Sequence, residues 1–418
     1  IGQEGKGYDL KTGIEVAKRL EKAGIDAIDV SCAGYDTFNC WLEPVSFDPG
    51  WRKYMAKAVK EAVSIPVLAA NLIRSPEQAE QQLKDGVQDF VCLGRPQIAD
   101  PHWTEKALSG KTIRRCICCL NCIESMQENA YVGSHGECSV NPFVGHEKEE
   151  LVKNGNGLKV IVAGAGPAGL TAADILARRG FNVTVYEKSA KPGGQLNLAA
   201  VPPKKGKTAW FIEDAFKCCE EDGVKFVFNK ALTAEEAKKE NAYAVIIATG
   251  SRPIKPAFPG IYDENDVLTF EDILGEKADI RDASVAVIGS GLTGLETAEY
   301  LTQKGCKVTV IEMQDEIAPG TWMQHRDDIM PKLKKAGTVF KTNEKLCEIE
   351  SGCIVTENTK TKARSRIKCD KVVLSLGSRP DTTLEKELSS SDIRTAAIGD
   401  CTKTGKIADA TKAAYLVA

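Results

Sequence analysis

The sequence has no excess of positive charge: 55 lysines and arginines face 58 aspartates and glutamates, for a net charge of -3. With no cationic footprint to neutralise phosphates, nucleic acid is not expected as a partner. Long apolar runs are missing too. None approaches the roughly 18 residues that span a bilayer, and no export signal opens the chain. These absences predict a cytoplasmic protein with no membrane partner. What remains is an ordinary globular composition over 418 residues, enough for two or three domains.

Cysteine is plentiful. Of 15 cysteines, Cys116, Cys118, Cys119, Cys122 and Cys138 crowd one short stretch. In a long chain without an export signal this pattern suggests metal chemistry rather than disulfides. The scattered cysteines read as small buried apolar residues.

Residues 1 to about 110 alternate helix and strand. Ile14, Ala17, Leu20 and Ala23 share helical spacing before an apolar strand Ile25–Val30. Met55, Ala58, Val59 and Ala62 do so before Ile65–Ala70. Ser75–Pro76 opens a third helix, with an N-cap oxygen and a proline at N1, before Phe90–Leu93. Such repeats imply parallel strands. Three strands cannot close a (β/α)₈ barrel, and the chain begins at Ile1, so the reading is the last part of a barrel whose beginning is missing. Loops after the final strands of such barrels hold phosphates. They make Asn71, Gly94 and Arg95 candidates, against the alternative of ordinary turns with a surface arginine. The loop after the first strand carries Tyr35, Asp36, Phe38, Trp41 and Phe47, which suit either a flat ligand or a local core.

After a linker at Lys153–Gly157, two segments echo each other. Lys159–Gly169 and Ser284–Gly294 each give strand, glycine turn and helix. Gly164, Gly166 and Gly169 with Glu187 form one dinucleotide pattern, and Gly289, Gly291 and Gly294 with Glu312 form the other. Each glutamate stands where it would accept from a ribose 2′-hydroxyl. Glu312 would repel a 2′-phosphate, so NADH is favoured over NADPH. For the cysteines, a CxxCxxC turn of Cys116, Cys119 and Cys122 plus Cys138 fits a [4Fe–4S] cluster. Cys118 is then an extra, and structural zinc or plain thiols are the alternatives.

The tandem units, with Ala248-Thr-Gly250, Gly193-Gly194-Gln195 and Ile398-Gly-Asp400, resemble flavin reductases of the glutathione reductase type. That resemblance implies FAD on the first unit, with Gly194 and Gln195 beside the flavin and Asp400 at its ribityl–phosphate region, and NAD(P)H on the second. The two units contain no CxxC, only adjacent Cys218 and Cys219, so disulfide reductase chemistry is not expected. Gly94-Arg95-Pro96-Gln-Ile-Ala-Asp100 and Cys138-Ser-Val-Asn-Pro142 extend the likeness. The whole chain resembles the 2-enoate reductase and 2,4-dienoyl-CoA reductase branch of the old yellow enzyme family.

The resemblance implies an α/β architecture in five parts. An FMN barrel portion covers 1–110, and an iron–sulfur segment and linker cover 111–157. An FAD domain covers 158–283 and returns at 376–418 around an NAD(P)H domain at 284–375. It implies an oxidoreductase in which electrons pass from NADH through FAD, the [4Fe–4S] cluster and FMN to an activated C=C bond of a small unsaturated substrate. A homo-oligomer is compatible with it, and such a cluster suits an anaerobe. Tyr35 and Asp36 stand where family members carry a Trp-His pair and are the catalytic candidates in view. Cys122 comes early and Cys138 late relative to the family spacing. Two alternatives stay open: an amine dehydrogenase of the trimethylamine dehydrogenase type feeding an external carrier, and a non-catalytic electron-transfer fragment.

Overall fold

The strands are shorter than their apolar runs, and the backbone shows why. In the computed structural model, which describes residues 7–256, 259–260 and 267–418, the run Ile65–Ala70 yields a strand only at Val67–Ala69. Beyond it Asn71 and Leu72 take positive φ of 25° and 50°, which ends the ladder. Strands Ile28–Val30, Val67–Ala69 and Phe90–Val91 pair in that order, all parallel, with Ile28 opposite Val67 and Leu68 opposite Phe90. The helix stripe also differs from expectation. In Leu10–Lys22, Ala17 is buried, but Leu20 is 40% exposed and Ala23 is exposed at the C-cap. Steps of three residues fall about 60° short of a full turn. Ala23 therefore lies opposite Ile14. The Ser75 cap is as expected, its side chain accepting from Gln78 N at 3.2 Å ahead of the helix Pro76–Lys84.

The chain divides into two compact units, 1–146 and 147–418. The first unit closes with helices Arg95–Ala99, Trp103–Ser109 and Asn121–Ala130. Its core joins Ile73, Ala79, Trp103 and Ile113, beside a second cluster of Ala17, Val59 and Val67.

The second unit is built on two five-stranded sheets. One orders its strands Arg394–Ala397, Ala244–Ile247, Lys159–Ala163, Asn182–Tyr186 and Lys225–Val227, all parallel. The other orders them Val339–Lys341, Lys307–Ile311, Ser284–Ile288, Lys371–Leu374 and Val267–Thr269, again all parallel. Lys159 faces Asn182 and Ser284 faces Lys307, each pair 23 positions apart, so the echo seen in sequence is a repeated register. Val267–Thr269 lies ahead of residue 284 yet pairs with Val372–Leu374 in the second sheet. An antiparallel pair, Ser251–Pro253 with Ser378–Pro380, marks where the chain leaves the first sheet and comes back.

Candidate functional site

The glycine loops divide their labour in the same way in both sheets. A Cβ on Gly164, at φ 110°, would stand 2.3 Å from Ala248 O, and one on Gly169 would stand 1.9 Å from Gly164 O. A Cβ on the middle glycine, Gly166, would meet no protein atom within 4 Å. In the second loop, Gly289 faces Ser375 O at 2.3 Å and Gly294 faces Gly289 O at 2.2 Å, while Gly291 meets nothing. The outer glycines let the turn and helix pack, and the middle one keeps the helix N-terminus open to a pyrophosphate.

The two glutamates are buried, and each ties its strand end to the loop. Glu187 Oε2 accepts from Ala165 N at 2.8 Å, and Oε1 accepts from Ser189 N at 2.8 Å. Glu312 Oε2 accepts from Ser290 N at 3.0 Å and Oγ at 2.7 Å, and Oε1 accepts from Gln314 N at 2.9 Å. A carboxylate offers about four acceptor positions, so both retain room for a ribose hydroxyl. In the first sheet's loop, Gly194 has φ 51° and its Cβ would sit 3.3 Å from Gly166 Cα.

Gln195 and Asp400, far apart in sequence, meet at Ser251. Gln195 Nε2 donates to Ser251 O at 3.1 Å and Oγ at 2.7 Å, and Ser251 Oγ donates to Asp400 Oδ2 at 3.2 Å. Burial pushes the Asp400 carboxyl above the usual range, against the opposing hydrogen bond from Gly405 N at 3.1 Å. Ser251 was missed in the sequence, although it follows the Ala248-Thr-Gly250 turn directly.

The cysteine turn needs two left-handed residues that are not glycine, Cys118 at φ 58° and Leu120 at φ 61°. They precede the helix Asn121–Ala130. The Cys138 segment is tied back to that helix: Asn121 Nδ2 donates to Glu137 O at 3.1 Å and Ser125 Oγ accepts from Glu137 N at 2.7 Å. Burial pushes the Cys122 thiol up to about 12, with the Cys116 and Cys119 sulfurs adding to it. Burial, then Cys119 and Cys116, likewise push Cys138 up. Cys122 and Cys138 thus each feel the charge of Cys116 and Cys119.

The candidates at the strand ends are less exposed to a ligand than the sequence suggested. Arg95 is not a free charge: Nη1 donates to Glu43 O at 2.8 Å and Nη2 to Glu43 Oε2 at 2.7 Å. Glu43, 1% exposed, also takes Arg52 Nη1 at 3.1 Å and Trp51 Nε1 at 3.1 Å on Oε1. Asn71, buried, directs its Nδ2 to Gln88 Oε1 at 2.5 Å, which uses one of its two amide hydrogens. Gly94 caps Arg95–Ala99, and a Cβ there would meet nothing. Tyr35, 86% exposed, and exposed Asp36 lie in a short turn, where the Tyr35 ring packs edge-on against Trp41 at 5.5 Å. Phe38 stacks beside them and Phe47 meets Trp51, so these aromatics pack on each other. Sequence reading missed Glu43, Arg52 and Arg74 in this unit. Arg74 is buried, and although burial opposes its charge, Cys116 and Cys118 hold its pKa above the ordinary value.

Residues 158–414 match the pyridine nucleotide-disulphide oxidoreductase family, and residues 3–113 match the NADH:flavin oxidoreductase / NADH oxidase family. The chain is 38% identical to an NADH oxidase of Thermoanaerobacter brockii, over 99% of its own length and 64% of that protein. It is 31% identical to a cinnamate reductase of Clostridium sporogenes, over 99% of the chain and 62% of the relative. A 2-naphthoyl-CoA reductase complexed with 2-naphthoyl-CoA superposes with a TM-score of 0.90 at 28% identity, covering 97% of this chain and 62% of that one. The chain thus spans less than two thirds of the length of these relatives. On the glycine cradles, the parallel strands and these matches together, the chain belongs to the pyridine nucleotide-disulphide oxidoreductase family over residues 158–414, preceded by a segment similar to the NADH:flavin oxidoreductase / NADH oxidase family.

Proposed function

We propose that this chain carries the electron-input half of an NADH-dependent reductase of activated C=C bonds. The observation that carries the reading is a pair of glycine cradles of one geometry in one chain, with the Cys116–Cys122 turn and Cys138 ahead of them in the sequence. Residues 158–283 and 376–418 would hold FAD on Gly164, Gly166, Gly169, Glu187, Gly194, Gln195 and Asp400. Residues 284–375 would hold NADH on Gly289, Gly291, Gly294 and Glu312. Cys116, Cys119, Cys122 and Cys138, in 111–157, would hold a [4Fe–4S] cluster. The strand ends of 1–110, with Gly94 and the backbone of Asn71, would face FMN.

When bound, such groups would supply two-electron chemistry at the flavins and one-electron chemistry at the cluster, as reduction of a C=C bond by NADH requires. The balance is NADH, one proton and the alkene giving NAD⁺ and the saturated product. The chain's own part is to bind and orient. Glu312, with three of its acceptor positions filled by the loop, keeps negative charge at the ribose end and so disfavours a 2′-phosphate. Ser251 locks Gln195 and Asp400 into one network beside Gly194.

The test is NADH oxidation by the complete protein, anaerobically, with an α,β-unsaturated acid such as cinnamate as acceptor. Consumption of equal amounts of NADH and alkene supports the reading. Reduction of the flavin by an amine, with none by NADH, would support the amine dehydrogenase reading instead.

A further inference from the structure

Cys118 is left over by the four-ligand set, and Arg74 is a buried cation that forms no ion pair among the described residues. The two meet. Arg74, 4% exposed, follows the left-handed pair Asn71–Leu72. Its Nη1 donates to Ile73 O at 2.6 Å and its Nε donates to Cys118 Sγ at 3.1 Å. Its Nη2 is buried without a hydrogen-bond partner. In a planar guanidinium the Nε and Nη2 hydrogens share one edge, the fork that takes anions two at a time. That edge has one donor on a sulfur of the cysteine turn and the other unused. A buried guanidinium with an unmade bond is costly to keep, and the Cys116 sulfur acts on this same charge.

Arg95 also acts on Cys116, but Glu43 at 2.7 Å offsets its charge. Arg74 makes no ion pair among the described residues, although the Glu43 carboxylate also acts on its charge from farther off. Cys118 has fully buried sulfur at a left-handed position that a side chain rarely takes, consistent with a residue kept for this contact.

We propose that Arg74 is a positioning residue for the iron–sulfur site. Its Nε–Nη2 edge fixes a positive charge against the Cys116–Cys118 side of the sulfur cage and raises the reduction potential there, and Cys118 anchors that edge without being a ligand. The inference rests on the reading that Cys116, Cys119, Cys122 and Cys138 hold a [4Fe–4S] cluster. An electron added to the cage increases its negative charge, and a fixed cation in a low-dielectric interior favours that reduced form.

The experiment is an EPR-monitored potentiometric titration of the anaerobically purified complete protein, with iron, sulfide and FMN assayed on each sample. Wild type is compared with Arg74→Gln, Arg74→Lys and Cys118→Ala. Arg74→Gln is expected to keep its iron and to shift the reduction equilibrium about tenfold toward the oxidised form, about 59 mV for one electron. Arg74→Lys, which restores the charge, should return most of that shift. Cys118→Ala should keep all its iron and move the potential the same way by less.

An unchanged potential in fully loaded Arg74→Gln would overturn the proposal, as would loss of iron from Cys118→Ala. Loss of FMN from Arg74→Gln at constant potential would assign Nη2 to a flavin phosphate and overturn it as well. Should Arg74→Gln fail to fold, Cys118→Ala decides, with no shift counting against the proposal. Wild-type protein without iron would remove the cluster reading itself, and the metal assay shows that before any variant is made.

Discussion

Arg95 donates to Glu43 twice, at 2.8 Å to its main-chain oxygen and at 2.7 Å to Oε2. The bond pins the turn after the last strand to the aromatic loop after the first. Glu43 also neutralises Arg52, whose Nε is itself buried without a partner. Removing the carboxylate would leave two buried guanidinium groups repelling each other. Glu43→Ala is expected to lower stability by about 3 kcal/mol, read as a fall in the denaturant midpoint. A midpoint equal to wild type would mean that the arginines find other partners.

The two kinds of glycine separate folding from binding. Gly169→Ala places a Cβ against backbone, so it should fold poorly or not at all. Gly166→Ala adds a methyl that touches no protein atom, so its circular dichroism should match wild type. Its FAD affinity should fall roughly tenfold or more, the effect of overpacking at about 1–3 kcal/mol. Gly291→Ala should retain FAD and lose NADH affinity by a similar factor. Equal nucleotide binding in these two variants would contradict the assignment of the cradles.

The second unit was the more legible part of the chain. Its strand–glycine–helix units carry both a periodicity and obligatory glycines, and each of these is a local property. Glu187 and Glu312 directly follow their strands, and the parallel register sets their distance from the loop. The strand-end site was less legible. Glu43, Arg52 and Arg74 come from three separate segments, and only the packed sheet brings their charges near one another. Arg95 looked free because nothing near it in sequence announces Glu43, 52 residues away. The stripe ending at Ala23 was misread because a strict spacing of three rotates around the helix.

Asp400 carries a pH signature of defined sign. Burial raises its pKa above that of the unfolded chain, so the folded state holds this proton more tightly. Its contribution to stability is then greatest in acid and falls as pH rises from about 3.8 through the folded value. Asp400→Asn removes the cost of the buried charge. The apoprotein variant is expected to be at least as stable as wild type at pH 7, with the difference vanishing near pH 3. FAD binding should weaken in the same variant. A variant less stable at neutral pH than in acid, relative to wild type, would contradict this sign.

Tyr35 stands exposed in its turn. A general acid contributes roughly 10²- to 10⁴-fold, but it must be held in place, and the Tyr35 ring is 86% exposed against other aromatics. Tyr35→Phe is expected to slow alkene reduction by less than about threefold, measured as kcat with saturating NADH. A loss of a hundredfold would make Tyr35 the donor after all.

The most direct test of the electron-input reading is metal and flavin analysis with an anaerobic visible spectrum before and after NADH. The account expects about four iron and four sulfide per chain, bound FAD, and rapid bleaching of the flavin by NADH. Zinc in place of iron, or a flavin that NADH leaves oxidised, would contradict it.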